Sequence, residues 1–259
     1  MRGLVLAAAL SLWGGAAFAD PLRDIADALK RGDTAVALQK LRPLAERGHP
    51  EAMNTLGFLY ENGQGVSADP QAAFRWYKKA AEAGFAEAMY NTGVAYKRGI
   101  GTPTDERAAL EWYRRAAEKG NLNALTNMGL MVLRGEGTKA DPKLASRYFL
   151  EAAQRGHTMA QFHIGELFRQ GKGVPKNDTA AYFWYLLAAT DGDVGKTRQR
   201  DKLGAQMPLE ARLSAQGKAR DWAPVTTPPT VPLPDSLATV PDVSAPAVAA
   251  PSPTTPTAP

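Results

Sequence analysis

The sequence has no cysteine and only three histidines, His49, His157 and His163. Without thiols there are no disulfides, no thiolate nucleophile, no Cys-ligated zinc and no Cys-held iron–sulfur cluster. No two histidines stand at metal-ligand spacing with a carboxylate. Nothing in the pattern suggests a Ser/His/Asp arrangement either, so a metal, a cofactor and catalysis are not expected. Long apolar runs are also lacking. The stretch from Leu4 to Trp13 falls short of the ~20 residues of a comfortable membrane span. The net charge of +5 is small, and no basic run is interleaved with aromatics, so a nucleic-acid partner is not expected.

The two ends differ from the middle. Arg2, the apolar stretch and Ala17-Phe18-Ala19 read as a secretory signal, residues 1–19, cleaved between Ala19 and Asp20. The competing reading is an uncleaved anchor. No cysteine follows the apolar stretch, which excludes a lipid-modified N-terminus. The mature chain is therefore expected in the periplasm or secreted, where a chain without cysteine avoids wrong disulfides. From Ala223 to Pro259 there is no Lys, Arg or aromatic residue, and 11 of the 19 prolines lie there. Such a segment cannot bury enough surface to offset its ordering entropy, so residues 223–259 are expected to be a disordered tail. It is a solvated extension in the plain reading, and a spacer or a ligand in the functional one. Without the two ends the chain carries 30 basic and 24 acidic residues, net +6.

Between the ends the sequence repeats every 36 residues. Ala45, Ala81, Ala117, Ala153 and Ala189 recur at that step, as do Gly48, Gly84, Gly120, Gly156 and Gly192. Gly57, Gly93, Gly129 and Gly165 keep the same register, and so do the pairs Gly63/Gly65, Gly99/Gly101, Gly135/Gly137 and Gly171/Gly173. An aromatic pair follows, Trp76-Tyr77, Trp112-Tyr113, Tyr148-Phe149 and Trp184-Tyr185. A period of this length marks a stack of supersecondary units.

Each unit reads as two helices. In the first unit Ala52, Leu56, Leu59 and Tyr60 give helical apolar spacing over Pro50 to Asn62. Gly63 supplies a left-handed stop. Asp69 caps the second helix, with Pro70 at the first helical position. Asp105, Asp141 and Asn177 repeat the cap. Ala73, Trp76, Tyr77, Ala80 and Ala81 are expected to form the buried face, closed by Gly84.

The pattern closely resembles the Sel-1-like repeats (SLR), relatives of the tetratricopeptide repeat. It is carried by Ala45, Gly48, Ala52, Leu56, Gly57, Tyr60, Gly63, Gly65, Val66, Asp69, Ala73, Trp76, Tyr77 and Ala80. The resemblance implies an all-α protein, a right-handed α/α solenoid of helix-turn-helix repeats. Four units span residues 45–80, 81–116, 117–152 and 153–188. In the third, Val132 replaces the Tyr and Tyr148 the Trp, and looser packing is expected there. Residues 20–44 read as N-terminal capping helices, with Leu22 to Arg31 first and Asp33 or Thr34 capping the second. Residues 189–222 read as C-terminal caps, Val194 to Met207 and Leu209 to Trp222, split at Pro208.

Several groups that could carry chemistry have plainer readings. The Gly-x-Gly segments follow helices and recur in every unit, so they are turns, not phosphate loops. His49 and His157 occupy one turn position and suit capping. His163 is level with Thr55, Asn91 and Asn127, one more polar helix position. Glu51, Glu61, Glu87 and Glu166 read as solvated carboxylates. The Trp-Tyr stripe reads as core. The stretch Lys196-Thr197-Arg198-Gln199-Arg200 with Lys202 could meet an anionic membrane surface or a polysaccharide, and a solvated helix face is the plainer account.

In tetratricopeptide-like arrays the first helix of each unit lines the concave face. By that resemblance, Phe58, Tyr90, Val94, Leu130, Leu133 and Phe162 form an apolar floor, with Arg98, Arg134 and Arg169 beside it. Such a surface suits a protein or peptide ligand bearing apolar anchors and acidic groups. The alternative is that these apolar residues pack against neighbouring helices. The resemblance implies a binding scaffold: an adaptor, a signalling regulator or an envelope assembly factor. Some cysteine-rich members are linked to β-lactam binding or hydrolysis, and the absence of cysteine disfavours that branch. The pattern names no particular partner and no oligomeric state.

Overall fold

The computed structural model describes residues 21–226. The expected signal segment and the part of the expected tail from residue 227 onward lie outside the described residues. Twelve α-helices and no strand are found among the described residues. They are α1 (Pro21–Lys30), α2 (Thr34–Glu46), α3 (Pro50–Asn62), α4 (Pro70–Glu82), α5 (Ala86–Arg98) and α6 (Glu106–Glu118). Then come α7 (Leu122–Arg134), α8 (Pro142–Gln154), α9 (Thr158–Gln170), α10 (Asp178–Ala188), α11 (Val194–Gln206) and α12 (Leu209–Arg220). A 3-10 turn, Ala189–Asp191, follows α10.

The helix ends are where capping chemistry puts them. Asp69 accepts from the Ala72 N–H at 2.8 Å, and Asp105, Asp141 and Asn177 do the same at 2.9 Å for Ala108, Leu144 and Ala180. Each such cap contributes about 1 kcal/mol. Gly63, Gly99, Gly135 and Gly171 take the left-handed conformation at the ends of α3, α5, α7 and α9. At Asp33, which precedes α2, no side-chain cap bond forms.

The contacts divide the chain into two compact units. Unit one holds the described residues up to Met131 together with Gly135–Lys139. Unit two holds Val132–Arg134 and the residues from Ala140 onward.

In unit one α3 packs on α4, and α5 on α6. Small residues set these distances. A Cβ at Gly57 would stand 2.8 Å from the Tyr77 ring, and one at Gly93 2.7 Å from the Tyr113 ring. The second glycine of the loop is equally forced, because a Cβ at Gly101 would lie 1.9 Å from the Pro70 carbonyl oxygen. The Gly-x-Gly segment is thus a turn laid on the start of a preceding helix. Leu41, Leu56, Leu59, Tyr77 and Tyr113 are buried, each worth about 2 kcal/mol relative to exposure. The tryptophans depart from the expected core. Trp76 and Trp112 are only half-buried, covered by Lys79 at 4.7 Å and Arg115 at 4.9 Å from the ring centroids.

In unit two α9 packs on α10, and α10 also packs on both α11 and α12. Trp184 is buried beside Tyr185, with the Phe183 ring edge-on at 5.0 Å. Val132 and Tyr148, where looser packing was expected, are also buried. Lys196 corrects the reading of its basic stretch as a solvated face. It is only 6% exposed and donates to Asp191, and at 3.2 Å to the Thr158 hydroxyl. The first residues of the expected tail are also placed. The Val225 N–H donates to the Gln154 carbonyl at 2.8 Å, and Pro224 lies over Gly156.

Candidate functional site

The expected floor residues fall in both units. Phe58, Tyr90, Val94, Arg98 and Leu130 belong to unit one, and Arg134, Phe162 and Arg169 to unit two. In unit one Phe58 (α3), Tyr90 and Val94 (α5) and Leu130 (α7) are all half-buried, while alanines and glycines of the same helices are buried. Tyr90, Val94 and Arg98 are spaced i, i+4 and i+8, which aligns them on one face of α5. Arg98 is exposed and makes no ion pair among the described residues. Its charge still reaches the phenols of Tyr90 and Tyr113.

Polar links tie these helices together. The Asn91 amide donates to Asn54 Oδ1 at 2.9 Å, and Asn121 to Glu87 Oε2 at 2.8 Å. Burial pushes the Glu87 carboxyl above its usual range, and the Asn121 bond opposes that shift. Tyr90 lies 5.7 Å from Tyr113, and Asn127 hydrogen-bonds both phenols. Burial raises the pKa of both. The Tyr77 hydroxyl donates to Glu61 at 2.8 Å. Glu61 and Glu87 are therefore structural partners, not the solvated carboxylates the sequence suggested. Glu51 also has a partner, His49 Nδ1 at 2.9 Å.

In unit two Phe162 sits between His163 and Tyr185, at centroid distances of 5.9 and 5.6 Å. Glu166 accepts from Tyr185, from Arg169 at 3.0 Å and from Gln170 at 2.9 Å. Arg169 is thus held by a carboxylate of its own helix, unlike Arg98. Arg134 is exposed, and its charge reaches His163. Burial and Arg134 together bring the His163 pKa down to about 4. His157 does cap α9, through a long 3.4 Å bond from the Ala160 N–H to Nδ1. His49, at the same turn position, makes no cap bond.

Two features had no signal in the sequence. One is the cluster of Lys196, Asp191 and Thr158, which forms because the turn after α10 brings Asp191 over the start of α9. The other is an open cleft of ≈ 320 Å³ in unit two, lined by Tyr182, Asp201, Gly204, Arg212, Leu213 and Gln216 among others. Its polar groups are engaged with one another: Gln216 donates to the Tyr182 hydroxyl at 3.4 Å, and Arg212 to the Gly204 carbonyl at 3.5 Å. Among the described residues no three His, Asp or Glu side chains cluster as metal ligands, and no helix is long and apolar enough to cross a membrane.

The Sel1 repeat sequence model matches four consecutive segments, residues 50–85, 86–121, 122–157 and 158–193. The frame opens at each first helix, five residues later than the alanine-based frame, with the same period. Among solved structures, a Sel1 repeat protein from Oxalobacter formigenes is similar at 31% identity, over 77% of this chain and 83% of that one, with a TM-score of 0.68. A protective antigen present in uropathogenic Escherichia coli strains, displaying an SLR fold, is similar at 32% identity with a TM-score of 0.69. That match covers 76% of this chain and 43% of the antigen. No curated protein sequence matches. Twelve helices, four repeats and these neighbours together make the fold an all-α solenoid.

Proposed function

The chain belongs to the Sel1 repeat family, and from that premise we propose that it is an exported, non-catalytic scaffold that docks a partner protein or peptide on the first helices of its repeats. Sel1 repeats generally form scaffolds for protein–protein contact, and this chain has the repeats. The finer reading, an adaptor, signalling regulator or envelope assembly factor, follows from the proposed export signal and from the character of one surface. That surface is the α5 face, where Tyr90 and Val94 stay half-exposed and Arg98 is exposed and makes no ion pair among the described residues. A folded domain gains little from leaving an aligned aromatic, aliphatic and cationic residue open. A ligand with an apolar anchor followed by a carboxylate would cover all three, and the arginine would add a charge-assisted hydrogen bond.

The test uses the mature chain as bait in an envelope extract. Arg98→Glu is expected to lose the captured partner, and Arg115→Glu, which alters a charge on α6, to retain it. Equal capture by both variants contradicts the reading.

A further inference from the structure

Both capping helices pack on α10, and the open cleft of ≈ 320 Å³ in unit two takes its walls from all three. Tyr182 comes from α10, Asp201, Gly204 and Ala205 from α11, and Arg212, Leu213 and Gln216 from α12. The sequence leaves room there. Steps of 36 residues lead from Tyr60 through Tyr96, Val132 and Phe168 to Gly204, so the capping helix lacks the larger side chain that each repeat carries. The Tyr182 ring takes up part of that space, close enough that a Cβ at Gly204 would stand 2.8 Å from it. Leu213 stays 56% exposed and Ala205 is exposed, which gives the cleft an apolar rim.

The donors of the cleft are only weakly used. Arg212 is half-buried, makes no ion pair among the described residues, and reaches the Gly204 carbonyl at 3.5 Å. Gln216 Nε2 reaches the Tyr182 hydroxyl at 3.4 Å. Both distances exceed the usual N–H···O range of about 2.7–3.2 Å. The carboxylate of the cleft, Asp201, is already held by its neighbour Arg200 at 2.8 Å. We infer that this cleft is a binding site for a carboxylate borne on a small apolar residue, with the carboxylate accepting from Arg212 and Gln216 and the side chain lying against Leu213 and Ala205. Arginine presents paired N–H groups that match a carboxylate, and such charge-assisted bonds are stronger than the two long neutral-acceptor bonds they replace. The volume is at the lower end for ligand clefts, about 300–1,000 Å³, and suits a single residue. Two sources carry this group, a free acylated amino acid and the last residue of a peptide. The site belongs to unit two and stands whether or not the α5 face binds a partner.

The test is a titration of the purified protein with N-acetyl-leucine, followed by NMR at the Gly204 backbone amide and the Gln216 side-chain amide. Saturable shifts are expected at both, with a Kd of about a millimolar for so small a ligand. N-acetyl-leucinamide, in which a neutral amide replaces the carboxylate, is expected to bind at least roughly tenfold more weakly. Arg212→Gln is expected to bring the same loss, and Arg198→Gln, on α11 but outside the cleft lining, to bring none. Ala205→Trp fills the exposed rim while Arg212 stays in place, so it is expected to abolish the shifts at a near-native melting temperature. That variant decides the question if Arg212→Gln fails to fold. A short peptide ending in leucine with a free carboxylate separates the sources. Tighter binding than N-acetyl-leucine assigns the ligand to a chain end, no gain assigns it to a free small carboxylate, and either result supports the site. Equal binding of the acid and its amide overturns it, as do shifts that persist in Ala205→Trp or the lack of saturable shifts in the native protein.

Discussion

The imidazole of His163 lies against the Phe149 ring, with centroids 5.1 Å apart and planes tilted by 32°. In the corresponding helices of unit one Tyr77 and Tyr113 hold this place, and their hydroxyls reach Glu61 and Asn127. Phe149 has no hydroxyl, and the neighbouring first-helix position carries a histidine in place of Asn91 or Asn127. The pair makes stability in unit two depend on pH. Burial and Arg134 lower the His163 pKa from 6.5 to about 4, with Glu166 opposing and His157 and Lys196 adding to the shift. The unfolded chain therefore takes up the proton first as pH falls. Stability is undiminished above about pH 6.5, declines through the window down to about pH 4, and is flat with respect to this group below that. One pKa unit is worth about 1.4 kcal/mol, so the loss is of order 3 kcal/mol at most. Urea unfolding across this window checks it, and His163→Asn is expected to flatten the decline.

Gly93 and Gly84 separate close approach from backbone strain. A Cβ at Gly93 meets the Tyr113 ring at 2.7 Å and the Ala109 carbonyl at 3.2 Å, so Gly93→Ala is expected to cost about 2 kcal/mol through overpacking. Gly84 has a φ of +92° and nothing within 4 Å, so Gly84→Ala is expected to cost about 1 kcal/mol from the left-handed backbone alone. Parallel denaturant titrations give both values.

Asp191 neutralises a lysine that is almost fully buried. Burial by itself would raise the Asp191 pKa, and hydrogen bonds from Lys196, the Asp193 N–H and Thr158 hold it below the usual range. Asp191→Asn strands the ammonium and is expected to destabilise the protein by about 3 kcal/mol. Adding Lys196→Met in the same chain is expected to recover most of that loss. Thermal melts of the single and double variants decide whether the two residues are coupled.

Export makes a mass prediction. Protein recovered from the cell envelope is expected to begin at Asp20, and intact-mass spectrometry reads the terminus directly. A chain that keeps Met1 would contradict cleavage.

Much of the fold was legible because its causes are local. A cap needs Asp, Asn or a left-handed Gly at a fixed offset, and the 36-residue period repeats those offsets. That is enough to place α3 from Pro50 to Asn62 and the starts of α4, α6, α8 and α10. Periodicity shows which side of a helix is apolar, but not what lies over it. Trp76, Trp112 and Trp184 share one register. Of the three only Trp184 is buried, and its helix α10 packs on both α11 and α12 in unit two. Lys196 was unreadable for a similar reason, since its partner Asp191 sits in a turn that breaks the repeat. The backbone bond from Val225 to Gln154 leaves no mark on side-chain composition. For the candidate site, sequence register aligned Tyr90, Val94 and Arg98. The ion pair between Arg169 and Glu166 needed the rotamers.

The central claim is that the α5 face binds a partner without being part of the core. Capture from envelope extract by the mature chain and by a Val94→Glu, Arg98→Glu variant, with melting curves recorded alongside, tests it most directly. The account predicts that the variant loses the partner captured by the native chain and melts at nearly the same temperature. Equal capture by the two chains would contradict it, as would a large drop in melting temperature, which would return Val94 to the core.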